Sequence, residues 1–429
     1  MTASRARARG HGRSRSGWGR VARLCALSLL LAPPATAYID PGTGSALVYV
    51  VTGVIVSAYF ALRGLWYKLV ELAFRVRFRA QKCRLAIHSE DPRYETTFLP
   101  VLRGLSARGV EATYFTMYGR GGSVEPLPPG MTHVEIPPGL VGYSYLNHLE
   151  ADLLVTTTPQ LDVMTFRRSR RVRHYCHLPH ALGESRYVRP FAYDFFDSVL
   201  CCGVLLKENV RRIEAIRRLP TKRLLETGIP HWDELLARAA EAAGPARPGS
   251  VLVAPSWGPL SLFTRFGTGF VRELARRRPV VVRPHPQMRI SQAALYEEVL
   301  AIEGVTVDTG PTPAAAMAAA EILVSDISGI VYEFAFLHEK PVVVVGEEAE
   351  VDGLEGFHLR DVPTLRDRCA DFVVAVRPGE IALLPEKVEE TLRRALPSRI
   401  VEARRELVYN VGRAGEAAAR QIEEILLCP

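Results

Sequence analysis

The sequence has little with which to build a disulfide or zinc framework. It carries seven cysteines in 429 residues, an odd number, with no C-x-x-C pair and no Cys/His spacing of the zinc-binding kind. Cys201 and Cys202 are adjacent and read as reduced core residues of a buried strand. No short-period repeat is present, so solenoid and propeller arrays are excluded. The first 37 residues lack any acidic side chain and hold seven Arg. Net positive charge is missing from the body of the chain, although the whole carries +8. Residues 85–429 contain 40 basic and 44 acidic residues, a balance of −4, while residues 1–37 carry +7 and residues 63–84 carry +6. Such a distribution argues against a nucleic-acid partner for the body. With 48% apolar and 23% charged residues, the chain is not a disordered one.

The charge gathers around two apolar segments. Residues 1–37 read as a signal peptide: an Arg-rich stretch to Arg23, an apolar run Leu24 to Ala32, and an A-x-A pattern at Ala35–Ala37. Residues 38–45 form a short extracytoplasmic segment. Residues 46–62 are 17 positions without a charge, the lower limit for a transmembrane helix. The seven basic residues of 63–84 then follow, reading as a basic juxtamembrane helix on an anionic membrane surface. By the positive-inside rule, the body faces the cytoplasm as a single-pass protein of the bacterial inner membrane.

Beyond residue 84, short apolar runs alternate with helical stretches, the pattern of parallel sheets with helices on both faces. The fold class expected is α/β, two Rossmann-like domains. The first spans 85–245, the second 250–429, and a small-residue linker with Pro and Gly lies between them. Ligands of such folds sit at the carboxyl ends of the strands.

Three segments offer chemistry there. In SDISG, a buried strand ends at Ser325-Asp326-Ile327-Ser328-Gly329 and a helix begins at Ile330. A helix N-terminus with free N–H groups stabilises a phosphate, and Gly329 allows close approach. Ordinary capping by Ser or Asp is the plain alternative. In VVVRPHPQ, a strand delivers Arg283 and His285 to its carboxyl end. Arg283 can hold a phosphate in bidentate fashion, and His285 can donate to a leaving phosphate. The plain alternative is a stiff turn. In RHYCHLPHALGESRY, His177 and His180 follow a third strand and are candidate bases, whereas His174 faces the opposite side. No carboxylate or cysteine stands at ligand spacing, so no metal is expected. APSWG, with Ser256, is a strand-end loop. ETGIPHWD reads as a strand-to-helix turn with a surface His231.

In this order the segments resemble the CDP-glycerol glycerophosphotransferase family of teichoic-acid synthesis. The resemblance rests on TGIPHWD, APSW, VVRPHP, SDISGIVYEFAFLHEKPVVVV and the tail VYNVGRAGEAAARQI. It implies a GT-B-like fold and transfer of a polyol phosphate from a CDP-alcohol to a hydroxyl of a lipid-linked or glycan acceptor, without cofactor or metal. It also implies His180 or His177 as the base and His285 with Arg283 at the donor diphosphate. Ser325 and Ser328 would hold the same diphosphate, and Glu333 would help hold the nucleotide. Two departures stand out. The base loop reads His177-Leu178 and His180-Ala181 where the family has His-Gly. Gly258 replaces a phosphate-contacting Arg, and Gly329 a second serine. One lost charged contact costs on the order of 2–3 kcal/mol, and Arg265 is the candidate to compensate. A nucleotide-sugar glycosyltransferase or sugar 2-epimerase fits the same segments, and a non-catalytic membrane-associated binding protein fits the departures.

Overall fold

The computed structural model describes residues 50–66, 69, 82–119, 126–182, 185–241, 249–310, 312–346, 354–394 and 397–428. The expected signal peptide and extracytoplasmic segment lie outside these residues, as do the first four positions of the expected membrane span and most of the basic stretch. Residues 50–66 are helical, and their apolar side chains, among them Val54, Ile55, Phe60 and Trp66, are exposed. Among the described residues no helix is long and apolar enough to cross a membrane. This helical segment and the body from residue 70 onward are separate compact units.

The body contains two sheets. β1 (Lys82–Ser89), β2 (Ala112–Thr116), β3 (Met131–Glu135), β4 (Glu150–Thr156), β5 (Val172–His177), β6 (Ser198–Cys201) and β7 (Arg223–Glu226) form the first. Their order is β3-β2-β1-β4-β5-β6-β7. β8 (Val251–Val253), β9 (Val280–Val282), β10 (Thr306–Val307), β11 (Ile322–Ser325), β12 (Val342–Val345) and β13 (Val373–Val376) form the second, in the order β10-β9-β8-β11-β12-β13. Every pairing within the two sheets is parallel. The central strands are short β-branched runs buried on both faces, as parallel strands covered by helices must be. Strand order reverses between β1 and β4 in one sheet and between β8 and β11 in the other. A crevice opens at each reversal, beyond the carboxyl ends of the strands.

The helices follow the alternation with two local differences. Between β8 and β9 the chain forms two helices, Leu262–Phe266 and Gly269–Ala275, because Gly267 ends the first at φ 63°. The edge strand β3 carries no apolar alternation in MTHVE, and periodicity does not reveal it.

The last helix, Ala414–Leu427, packs on the first domain. Its Ala418, Ala419, Ile422 and Ile425 share a core with Leu85, Phe98, Leu102 and Tyr114. The span 250–429 expected for the second domain therefore contributes its final helix to the first. The chain returns along Val408, which bridges Gly203, and Tyr409, whose N–H donates to the Cys202 carbonyl at 3.1 Å. Asp233 fixes this return by accepting from the N–H groups of Ala414 (3.2 Å) and Gly415 (2.8 Å). Gly228 is required beneath it: φ is 91°, and a Cβ there would stand 2.3 Å from the Tyr409 carbonyl oxygen.

Candidate active site

The two crevices share one cavity of about 400 Å³. From the first domain it receives Thr157, which follows β4, and His177 and His180 from the end of β5. From the second it receives Ile327, Ser328 and Gly329, the turn between β11 and the helix Ile330–His338.

The SDISG turn divides its work. Ser325 is fully buried and donates its hydroxyl to the Ala254 carbonyl at 2.6 Å. Asp326 accepts from the N–H groups of Ser256 (2.8 Å) and Leu262 (3.0 Å). Burial raises its pKa, and those donors partly offset the rise. Both side chains thus tie β11 to the APSW loop, and Ser325 cannot offer its hydroxyl to a diphosphate in this arrangement. Ser256 lies on that loop, held through its backbone. Ser328 and Gly329 are left facing the cavity. No side chain caps the helix Ile330–His338, so ordinary capping is not what this serine-rich turn does. The Val331 and Tyr332 N–H groups donate to the Ser328 and Gly329 carbonyls at 3.3 and 3.2 Å, so the helix end offers an anion the positive end of its dipole rather than a row of free donors.

The histidines differ in environment. His177 is buried, with ring centroids 5.0 Å from Tyr193 and 5.1 Å from Phe196, and burial pushes its pKa down to about 3. His180 stays exposed in the cleft and packs against Tyr94, the ring centroids 4.6 Å apart and the rings tilted by 46°. Its pKa is lowered by desolvation and then by the positive charge of Arg93. His174 is buried, with Nε2 2.9 Å from Ser198 Oγ, a structural role.

Arg283 does not present a free fork. Its Nη1 donates to Asp308 at 2.6 Å and Nη2 to the Gly310 carbonyl at 3.0 Å. His285 accepts from the Gln287 N–H at 3.1 Å and lies 6.2 Å from the Trp257 ring. Desolvation, then Arg93, then Arg283 lower its pKa. Arg265 lies over Phe266 at 5.4 Å. Gly258 occupies the left-handed region at φ 87°, which an Arg adopts only under strain.

Two residues escaped sequence reasoning. Arg93, in the SEDPRY loop after β1, is held by Asp91 through Nε (2.9 Å) and Nη2 (3.0 Å) and remains largely exposed. Its field reaches His180 on one domain and His285 on the other. A turn motif straight after the first strand was the available signal. His231 is not a surface residue. Its Nδ1 lies 2.9 Å from Thr96 Oγ1 and its Nε2 4.0 Å from Glu333 Oε1. Burial, then His180 and Arg238, lower its pKa to about 4. Burial raises that of Glu333 to about 7. Among the described residues no group of three His, Cys, Asp or Glu is placed to hold a metal ion.

The architecture can be compared with solved structures. In fold, the chain resembles the wall teichoic acid polymerase TagF. A TagF variant soaked with CDPG superposes with a TM-score of 0.54 at 12% identity, over 85% of this chain and 98% of that one. A putative UDP-N-acetylglucosamine 2-epimerase from Listeria monocytogenes gives 0.53 at 13% identity, over 80% and 96%. The UDP-GlcNAc 2-epimerase from Neisseria meningitidis bound to UDP-GlcNAc gives 0.51 at 13% identity, over 81% and 100%. No protein-family model and no curated protein matches the sequence. The likeness to TagF and the epimerases is one of fold: two parallel α/β sheets in a GT-B-like arrangement, with the resemblance seen in the motifs extending to the architecture.

Proposed function

We propose that the chain is a transferase that moves glycerol phosphate, or a related polyol phosphate, from a CDP-activated donor to an acceptor hydroxyl. One observation carries this reading. An exposed histidine of the first domain and an uncapped helix N-terminus of the second open on the same cavity. The helix end and Ser328 hold the donor diphosphate, and Arg93 adds positive charge from the facing loop. His180 takes the proton of the acceptor hydroxyl. The acceptor oxygen bonds to the β-phosphorus, the bond to the bridging oxygen breaks, and CMP leaves with that electron pair. Rate enhancement comes from positioning and from fixed donors around the developing charge.

His180 is preferred to His177 as base because it is accessible from the cleft while His177 is buried. A histidine pushed to about 3 is a weak base at neutral pH. Glu333, one turn into the same helix and 4.0 Å from His231 Nε2, helps hold the nucleotide.

The acceptor is lipid-linked or part of a cell-envelope glycan, and the protein works at the cytoplasmic face of the bacterial membrane. The apolar residues 46–62 and the basic residues 63–84 support that placement. Fractionation with alkaline and high-salt washes tests it, and recovery of all protein in the first soluble fraction would count against it.

The activity is tested by incubating the purified chain with CDP-glycerol and an acceptor extract and measuring CMP. A second reading, action on a nucleotide sugar, draws on the likeness in fold to the two 2-epimerases. Thermal-shift titration with CDP-alcohols against UDP- and GDP-sugars separates the two.

A further inference from the structure

The cavity has a floor that the phosphate site does not use. Thr157 is 2% exposed and His177 is 3% exposed, and both line the cavity. Neither Thr157 Oγ1 nor His177 Nδ1 makes a hydrogen bond within the protein. The register of β4 and β5 pairs His177 with Thr156, the residue before Thr157. Thr156 itself is satisfied, its hydroxyl 3.0 Å from His88 Nδ1 and accepting from the Thr158 N–H at 3.0 Å. Two buried polar atoms without partners on the lining of one cavity are uncommon in a folded protein, where such groups are nearly always paired. Around them the cavity wall is apolar and aromatic, with Leu182, Val188, Tyr193 and Val331.

We propose that Thr157 Oγ1 and His177 Nδ1 form a subsite for an uncharged, hydroxyl-bearing group, a polyol or a sugar ring. The hydroxyl of Thr157 both donates and accepts, and a neutral imidazole does one or the other at Nδ1. Adjacent hydroxyls on a ligand supply the matching partners. The absence of charge on either residue disfavours phosphate here, and the helix end across the cavity serves that group instead. Tyr193 and Phe196 clamp the His177 ring, so its nitrogen is positioned before any ligand arrives. The hydroxylated group comes from the transferred unit of the donor or from the end of the acceptor. Only this choice of molecule rests on the transferase reading.

The test uses the full chain and two variants, Thr157→Val, which is isosteric, and His177→Phe, which keeps the aromatic packing. In the donor arm, calorimetry compares CDP-glycerol with CMP. In the acceptor arm, saturation-transfer NMR follows glycerol and methyl N-acetylglucosaminide with and without CMP. In the arm where the wild type binds the hydroxylated probe, each variant is expected to weaken it about tenfold, with CMP affinity unchanged. That loss in the donor arm assigns the subsite to the transferred unit, and in the acceptor arm to the acceptor. Both variants are also expected to melt no lower than the wild type without ligand, since each removes an unpaired buried polar atom. If CDP-glycerol and CMP fail to bind but a polyol or glycoside binds and the variants abolish it, the subsite stands and the transferase reading falls. The proposal is overturned if no hydroxylated probe binds the wild type. It is also overturned if both variants bind every probe as the wild type does, or if both lower the melting temperature markedly.

Discussion

His231 Nε2 lies 4.0 Å from Glu333 Oε1, yet the two do not form an ion pair at neutral pH. Burial holds the imidazole neutral down to about pH 4 and keeps the carboxyl protonated up to about pH 7. The pair therefore joins the helix Pro230–Glu241 to the helix Ile330–His338 as a neutral imidazole beside a carboxyl that loses its proton only near pH 7, with Thr96 fixing the ring from behind.

Stability should register the carboxyl. Its folded pKa of about 7 stands above the ordinary carboxyl value of 4.5, so the folded state holds the proton longer than the unfolded chain. The stabilising contribution is complete below pH 4.5 and lost as pH rises through 7. His231 acts in the opposite sense between about pH 4 and 6.5, where the unfolded chain binds more protons. Relative to Glu333→Gln, the wild type should lose on the order of 3 kcal/mol between pH 4.5 and 7.5 in urea denaturation. Parallel curves for the two proteins would show that Glu333 is not shifted.

Transfer activity should follow His180. His180→Ala is expected to lower kcat by roughly 10²–10⁴ while leaving donor affinity within about twofold. The wild-type rate should fall as pH drops through the lowered pKa of His180. Arg93 contributes to that lowering, so Arg93→Gln should move the acid limb of the profile to higher pH. An unmoved limb would separate Arg93 from the base.

The helix end should respond to a charge placed beside it. Ser328→Asp adds a carboxylate at the uncapped start of the helix Ile330–His338. The unliganded protein should gain roughly 0.5–1 kcal/mol from capping and the helix dipole. CDP-glycerol affinity should fall at least about tenfold, because the carboxylate competes with and repels the diphosphate. Calorimetry and thermal melting read the two effects separately.

Two glycines should give unequal costs on substitution by Ala. At Gly258, φ is 87° and nothing lies within 4 Å of a built Cβ, so only backbone strain applies, about 1 kcal/mol. At Gly228 the same strain is joined by a clash with the Tyr409 carbonyl oxygen, and the cost should reach about 3 kcal/mol or more. Equal melting temperatures for the two variants would contradict the tight seat of the returning chain.

The alternation of buried runs such as ILVS and VVVV made both sheets legible, because parallel strands covered on two faces leave a continuous apolar signature. The same reasoning located the carboxyl ends where Ser328, His177 and His180 meet. It failed where a side chain is spent on the fold. Nothing in SDISG shows that Ser325 reaches Ala254 or that Asp326 anchors the APSW loop. Nor does VVVRPHP show that Asp308, 25 residues away, holds Arg283. His231 looked superficial because helical spacing cannot reveal that Glu333 arrives beside it from another strand crossover. Thr157 was silent for a related reason: an unpaired hydroxyl is visible only once its neighbours are known.

The last helix carries a consequence for how the molecule is built. Among the described residues the first domain opens with β1 at Lys82 and is completed by Ala414–Leu427, so the second domain is an insert nested within the first. A fragment ending at Glu241 would leave Phe98 and Leu102 without the Ala418 and Ile422 that cover them, and should aggregate. Two separate crossings, after Glu241 and after Leu407, connect the sheets. Opening the cleft must bend both at once, which restricts the domains to a narrow arc about a double-stranded hinge.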